Sequence, residues 1–353
     1  MTVANNPRWK VRPPGSNWGD FGPDDELGRL NLLTPRKVLD GMKEVVEGKT
    51  FCLSLPLDVP GTKGWGSHRQ PPRLRPAMRN GKPLFNFEMS AERPGATDVV
   101  SDDEVLLTLQ YSTQWDSLAH VGQLFDVDGS GTPQPVYYNG FRANIDVCCD
   151  PGWSEPQASG APQPEHLGAR HLGVEKMAES CVQGRAVLID LEKHFGRRNH
   201  AVTHAELLRI LEVDRITVTQ GDMVLFYTGF GDILLETHPA PDAKLLEQTA
   251  AIDGKDPGVQ QWITDTGIVA MMSDNATVEY RHAFSPVTHG RGSYLPLHEH
   301  CLFKLGMPLG EMWNLGDLAR YLRQVKRSAF LLTAPPLRLP GAVGSPASPV
   351  ATV

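Results

Sequence analysis

Downstream of Gly173 short apolar runs alternate with amphipathic segments, and this alternation constrains the fold more than any other feature of the chain. Residues 174–181 read as a short amphipathic helix, 186–191 as an apolar strand and 223–227 as a second buried strand. Between the two strands, Thr203 stands as an N-cap and Glu206 completes a capping box for a helix reaching Leu211. Residues 267–272 and 330–332 supply two further strands. Helices and strands that take turns in this way bury one another as layers, which places the chain in the α/β class.

Upstream the signals are less regular. Residues 1–33 are rich in Pro, Gly, Trp and Asn, and 17–26 read as an ordered arm anchored by aromatic side chains. Residues 34–48 carry helix signals: Thr34 as N-cap, Pro35 in the first turn, Val38, Leu39, Met42, Val45 and Val46 as the apolar face, and Gly48 past the end. Residues 51–57 alternate as a strand. Glycine, proline and arginine dominate 58–94, which predicts an excursion without regular structure, over the surface or across a subunit boundary; His68 within it reads as a solvated loop histidine. Residues 126–131 open like a calcium loop, but the twelfth position is Tyr137 where a bidentate Glu is required, so the stretch reads as a Gly-rich turn. A Pro-rich insert occupies 151–164. The division expected is a single domain over 1–353, with an arm at 1–33 and a core at 34–353.

A net charge of -7 without a basic cluster argues against nucleic acid and anionic membranes as partners and for a small molecule. The first residues lack the apolar core of a signal peptide, and no run approaches the roughly 20 apolar residues of a membrane span, so a soluble, cytoplasmic protein is expected. The five cysteines, including the adjacent Cys148 and Cys149, suit reduced thiols. Neither a Gly-x-Ser-x-Gly elbow nor a thiol-enzyme signature is present, and the glycines of 228–232 match no phosphate-binding spacing.

Chemistry-bearing residues concentrate at 110–120, Gln-Tyr-Ser-Thr-Gln-Trp-Asp-Ser-Leu-Ala-His. Val105, Leu106, Leu107 and Leu109 read as a buried strand leading in, and an extended chain would put Gln110, Ser112, Gln114 and Asp116 on one face. A helical turn at Ser117, Leu118 and Ala119 would bring His120 back beside Asp116. The same residues also read as a strand end whose polar side chains cap a turn. Ser273-Asp274-Asn275, with Glu279 following, ends a strand, so Asp274, Asn275 and Glu279 are candidates for a pocket wall at a carboxyl end, the alternative being an Asp N-cap for the next helix. Residues 294–305 carry His298, His300 and Cys301 ahead of the connection 306–311.

With these segments in view the chain resembles the cyclase family of metal-dependent hydrolases, which includes kynurenine formamidase and isatin hydrolase. The likeness runs through Asn17-Trp18-Gly19 with 28–35, Asp116-Ser117-Leu118-Ala119-His120, Tyr138-Asn139-Gly140, Ser273-Asp274-Asn275, 305–311 and 332–346. The family's His-x-Gly-Thr-His-x-Asp-x-x-x-His pattern falls on Gln110, Ser112, Thr113, Gln114, Asp116 and His120, so two histidine ligands are glutamines here. The later His and Glu ligands fall on His298, preferred to His300, and on Glu311.

The resemblance implies a cyclase-like fold, a swivelling β/β/α domain with a long N-terminal arm and Pro/Gly-rich loops, assembled as a homodimer or homotetramer. It also implies one divalent metal ion held by Gln114, Asp116, His298 and Glu311. Amide oxygens in place of imidazoles shift the expected preference from zinc to manganese or magnesium. His120 is the expected proton carrier, since histidine titrates near pH 6.5, and Gln110 the group that orients substrate or water. Trp18, Trp65, Trp115 and Tyr138, with Asp274 and Asn275, are the expected substrate wall. The activity implied is hydrolysis of an amide, cyclic amide or imide, or lactone by metal-activated water. The alternatives are a small-molecule binding protein that has lost catalysis with its histidines, a lyase or cyclase using the same pocket, and a site that holds no metal.

Overall fold

The computed structural model describes residues 6–61, 68–149, 167–241, 248–281 and 292–353. Its centre is a nine-stranded sheet: β1 (Thr50–Cys52), β2 (Gln114–Asp116), β3 (Gln183–Asp190), β4 (Met223–Tyr227), β5 (Ala270–Ser273), β6 (Leu309–Glu311), β7 (Ala329–Thr333), β8 (Gly344–Pro346) and β9 (Val350–Thr352). The spatial order is β1-β9-β7-β3-β4-β5-β6-β2-β8. The middle four, β3 to β6, pair in parallel, while β7 joins β3, and β2 joins β6, in antiparallel fashion. Parallel strands need covering on both faces, which is why the central runs are apolar without alternation. Val224, Phe226 and Met271 pack into one core, whereas Met223, Leu225, Tyr227 and Met272 pack into the other.

The strongest sequence signals hold. Thr203 and Glu206 form a reciprocal capping box at the start of the helix His204–Val213. The helix Val174–Glu179 precedes β3, and the final residues are integral to the sheet, with Ala351 and Val353 buried. Among the described residues no helix is long and apolar enough to cross a membrane.

Four expectations are corrected. The helix after Thr34 covers only Pro35–Lys43; its apolar residues Leu39 and Met42 face outward, and Val46, beyond its end, is exposed. Its sheet-facing side is Gly41 and Lys37: a Cβ at Gly41 would lie 2.8 Å from the Arg185 amide nitrogen, and Lys37 Nζ bonds Asp222 Oδ1 at 2.6 Å. The helix thus docks by close backbone approach and a buried ion pair. The Gly/Pro/Arg-rich excursion is not devoid of regular structure, because Arg73–Pro76 pairs with Asp103–Leu106 and short ladders lie between them. Val105 and Leu106 are consequently exposed on that hairpin instead of buried in a strand leading to the central stretch. The strand read at 51–57 is short, Thr50–Cys52.

The N-terminal arm is clamped from the Tyr138–Gly140 turn. Asn139, at φ 54°, receives the Gly19 amide and Trp9 Nε1 at its carbonyl oxygen and donates to the backbone oxygens of Gly22, Pro23 and Asp25. Asparagine tolerates this left-handed conformation better than most residues.

Candidate functional site

The side-chain direction of β2 follows from the two-residue repeat of a strand. Gln114 and Asp116 project to one face, and Trp115 projects to the other, where it meets Trp313 edge to face and donates Nε1 to the Ala334 oxygen. In the ladder with β6, Glu311 stands opposite Gln114 and Leu309 opposite Asp116, so the Glu311 carboxylate joins the Gln114/Asp116 face. Thr113 locks the start of β2, its hydroxyl donating to the Met312 oxygen and accepting from the Leu55 amide.

His298 reaches the same place from the segment Pro296–His298, which continues into a π-helical stretch, Glu299–Lys304. Its Nε2 lies 3.2 Å from Glu311 Oε1 and 4.0 Å from Asp116 Oδ2, while Nδ1 bonds Glu279 Oε1 at 2.9 Å. One ligand atom each from Asp116, His298 and Glu311 lies within 4.8 Å of the others, and all three residues are buried. Gln114 Nε2 bridges the carboxylates, donating to Glu311 Oε2 at 2.9 Å and to Asp116 Oδ1 at 3.2 Å. Gln114 Oε1 and Asp116 Oδ2 are buried without a hydrogen-bond partner. Two carboxylates, an imidazole and two orphaned oxygens in one buried cluster fit a divalent cation, since an oxygen-rich set with one nitrogen suits manganese or magnesium.

The electrostatics are those of a buried acidic centre. Burial pushes the Asp116 carboxyl above its ordinary value, with His120 opposing and Glu311 reinforcing that shift. Burial acts to lower the His298 value, but the hydrogen bonds and charges of Glu279 and Glu311 outweigh it and push it up to about 10. His120 sits one turn after Asp116, its amide bonded to the Ser117 oxygen and its Nε2 3.7 Å from Asp116 Oδ1, and it keeps about a fifth of its side-chain surface exposed. It is the polar side chain of this cluster with access to solvent.

Other residues singled out from the sequence lie elsewhere. Trp18 is buried, its Nε1 donating to the Phe303 oxygen and its ring set edge to face with Phe303. Tyr138 bonds Asp25 through its hydroxyl, and Trp115 belongs to the opposite core. Asp274 accepts from the Thr228 amide and hydroxyl and from the Gly231 amide near the start of the helix Phe230–Thr237. Asn275 closes the following turn onto Thr277 and Val278. None of these five is brought to the cluster, because aromatic bulk and hydrogen-bonding capacity serve packing and turns equally well. Gln110 is half-buried against Gly344, the residue paired with Asp116. Trp65 lies outside the described residues. His300 turns away to Thr264 Oγ1, 3.0 Å from its Nε2, so His298 is the histidine of this helix that joins the cluster. Arg69 and Arg281 were not singled out in the sequence: Arg69 stands near enough for its charge to act on Asp116, and Arg281 near enough to feel Glu311.

The sheet and this cluster define an α/β protein with a histidine–carboxylate centre where its parallel strands meet an antiparallel edge. The chain belongs to the Cyclase family: the family model, described as "Putative cyclase", matches residues 51–280. A solved structure described as a novel cyclase is 28% identical with a TM-score of 0.72, over 97% of this chain and 100% of that one. Isatin hydrolase A from Labrenzia aggregata, bound to benzyl benzoate, is 13% identical with a TM-score of 0.53, over 90% of this chain and 97% of that one. Isatin hydrolase A from Ralstonia solanacearum is 15% identical with a TM-score of 0.52, over 86% and 91%. At those identities the isatin hydrolases establish likeness of fold. A comparison with curated proteins finds no match.

Proposed function

We propose that this protein is a metal-dependent hydrolase that opens an amide, cyclic amide or imide, or lactone, with one divalent ion held by Asp116, His298 and Glu311 and by the Gln114 amide oxygen. The observation that carries the reading is the buried convergence of three ligand side chains beside two oxygens that lack partners. The solved isatin hydrolases share the fold and so support hydrolysis as the chemistry. When bound, the ion supplies Lewis acidity, polarising a carbonyl oxygen and easing deprotonation of water.

The chain's own residues do the rest. Asp116 and Glu311 supply two negative charges to balance a dication, and the β2–β6 register fixes their spacing. Without an ion, Gln114 Nε2 holds both carboxylates from within the same strand pair, and turning the amide over would aim its oxygen at an ion between them. His120, near Asp116 yet open to solvent, takes the proton from the attacking water and delivers it to the departing nitrogen or oxygen. One water is added, one acyl bond breaks and a carboxylate product forms. Arg69 and Arg281 place positive charge near the centre, where that carboxylate develops.

A second reading draws on the Gln114 contacts. An amide NH2 hydrogen-bonded to both Asp116 and Glu311, with His298 beside them, satisfies carboxylate oxygens of the acidic centre without an ion and suits a binding protein that has given up catalysis. Stripping the protein with chelator, restoring manganese and screening formamides, cyclic imides and lactones by product mass separates the readings. The hydrolase reading predicts, dependent on added metal, a ring-opened product one water heavier from a cyclic imide or lactone, and from a formamide formate and the free amine, whose masses sum to that of the substrate plus one water. Ligand binding without metal uptake or turnover favours the binding protein, and product without added water favours a lyase or cyclase.

A further inference from the structure

Glu279 is almost completely buried and lies on the side of His298 opposite the cluster. Its carboxylate accepts from His298 Nδ1 at 2.9 Å, from the His298 amide at 3.3 Å and from the Leu297 amide at 3.0 and 3.1 Å. It therefore fixes both the ring and the backbone that carries the ring. The surroundings are built to receive it. A Cβ at Gly254 would fall 2.3 Å from Glu279 Oε2, so only glycine leaves room for the carboxylate there. Glu279 is bridged to Ile252, and the residue before it, Val278, holds φ at 58°, a left-handed conformation that a β-branched residue rarely adopts. Strain of this sort persists where the surroundings over-determine a side chain's position.

We infer that Glu279 is a positioning residue for metal binding: by accepting the Nδ1 proton it keeps that proton on Nδ1 and aims Nε2 at Asp116 and Glu311, so that Nε2 is the nitrogen that gives up its proton to an ion held there. The inference rests on the proposed ion site and assigns its histidine ligand a carboxylate partner. Such a partner raises the basicity of an imidazole as well as orienting it. The effect matters more here than in a histidine-rich site, because with Gln at 110 and 114 His298 is, among the described residues, the imidazole whose ligand atom groups with those of both Asp116 and Glu311.

Three measurements test this on the full chain. Calorimetric titration of chelator-stripped protein with manganese alone should show binding about 10 to 100-fold weaker for Glu279→Ala than for wild type. Glu279→Gln, which keeps an oxygen for Nδ1–H, should recover part of that loss. Equal affinity in wild type and both variants overturns the inference while leaving the ion site standing; a wild type that binds no ion removes both.

Because Glu279 also accepts backbone amides, the third measurement needs no change at that position. Long-range nitrogen–proton correlation spectra of wild-type protein labelled at histidine and loaded with diamagnetic zinc, with His298 assigned through His298→Gln, should show a protonated Nδ1 and a metal-bound Nε2. A protonated Nε2 contradicts the inference.

Discussion

Gln114 donates from Nε2 to Glu311 Oε2 at 2.9 Å, and these two residues are also direct partners in the β2–β6 ladder. Side-chain bond and strand register reinforce each other, so the amide is held where the family pattern places an imidazole. As it stands, the amide presents two protons to the two carboxylates; turned over, it would present its oxygen to an ion held between them.

Gln114→His is therefore expected to raise zinc affinity relative to manganese, since imidazole is the softer donor. Dialysis against equal concentrations of both metals, followed by metal analysis, should give a zinc-to-manganese ratio at least about tenfold higher in the variant than in wild type. An unchanged ratio would show that Gln114 does not face the ion.

Asn139→Ala removes a side chain that joins the Tyr138–Gly140 turn to the arm through Trp9, Gly19, Gly22, Pro23 and Asp25. Leaving buried donors and acceptors unpaired, together with the positive φ that alanine tolerates poorly, should cost about 2 to 4 kcal/mol. Chemical denaturation measures the loss, and trypsin should cut at Arg8 or Lys10 sooner than in wild type. A stable variant with an equally protected arm would refute the clamp.

The pH dependence of stability should carry a contribution from His300. Burial, helped by Lys304, pulls its pKa down from 6.5 to about 4, so it stays neutral in the folded protein while the unfolded chain takes up a proton. Its contribution is fully present above pH 6.5 and is lost as pH falls towards about 4. The loss is roughly 3 kcal/mol at most. His300→Gln should flatten this part of the profile; parallel profiles for the two proteins would contradict the assignment.

How much of this was legible in the sequence depended on how local each determinant was. The capping box of Thr203 and Glu206 and the strand Met223–Tyr227 are written in a few consecutive residues, and both formed. The face of the helix Pro35–Lys43 was misread because its docking relies on Gly41 and Lys37, whose fit against Arg185 and Asp222 no periodicity encodes. Val105 and Leu106 misled for the opposite reason: they are apolar, but a hairpin with Arg73–Pro76 holds them at the surface. In the site, spacing alone placed His120 beside Asp116, whereas bringing His298 and Glu311 to them rested on the family resemblance. Glu279 was legible only as a pocket-wall candidate after a strand end, since its bond to His298 joins residues 19 apart in the chain. Trp18 and Trp115, expected on a substrate wall, are packed into the two cores.

The central claim is that Asp116, His298 and Glu311 hold one divalent ion, and calorimetric titration of chelator-stripped protein with manganese tests it most directly. The account predicts saturation at about one ion per chain for wild type, and no measurable binding for His298→Ala or Asp116→Ala in proteins whose melting shows them to be folded. No uptake by wild type, or undiminished uptake by both variants, would contradict it.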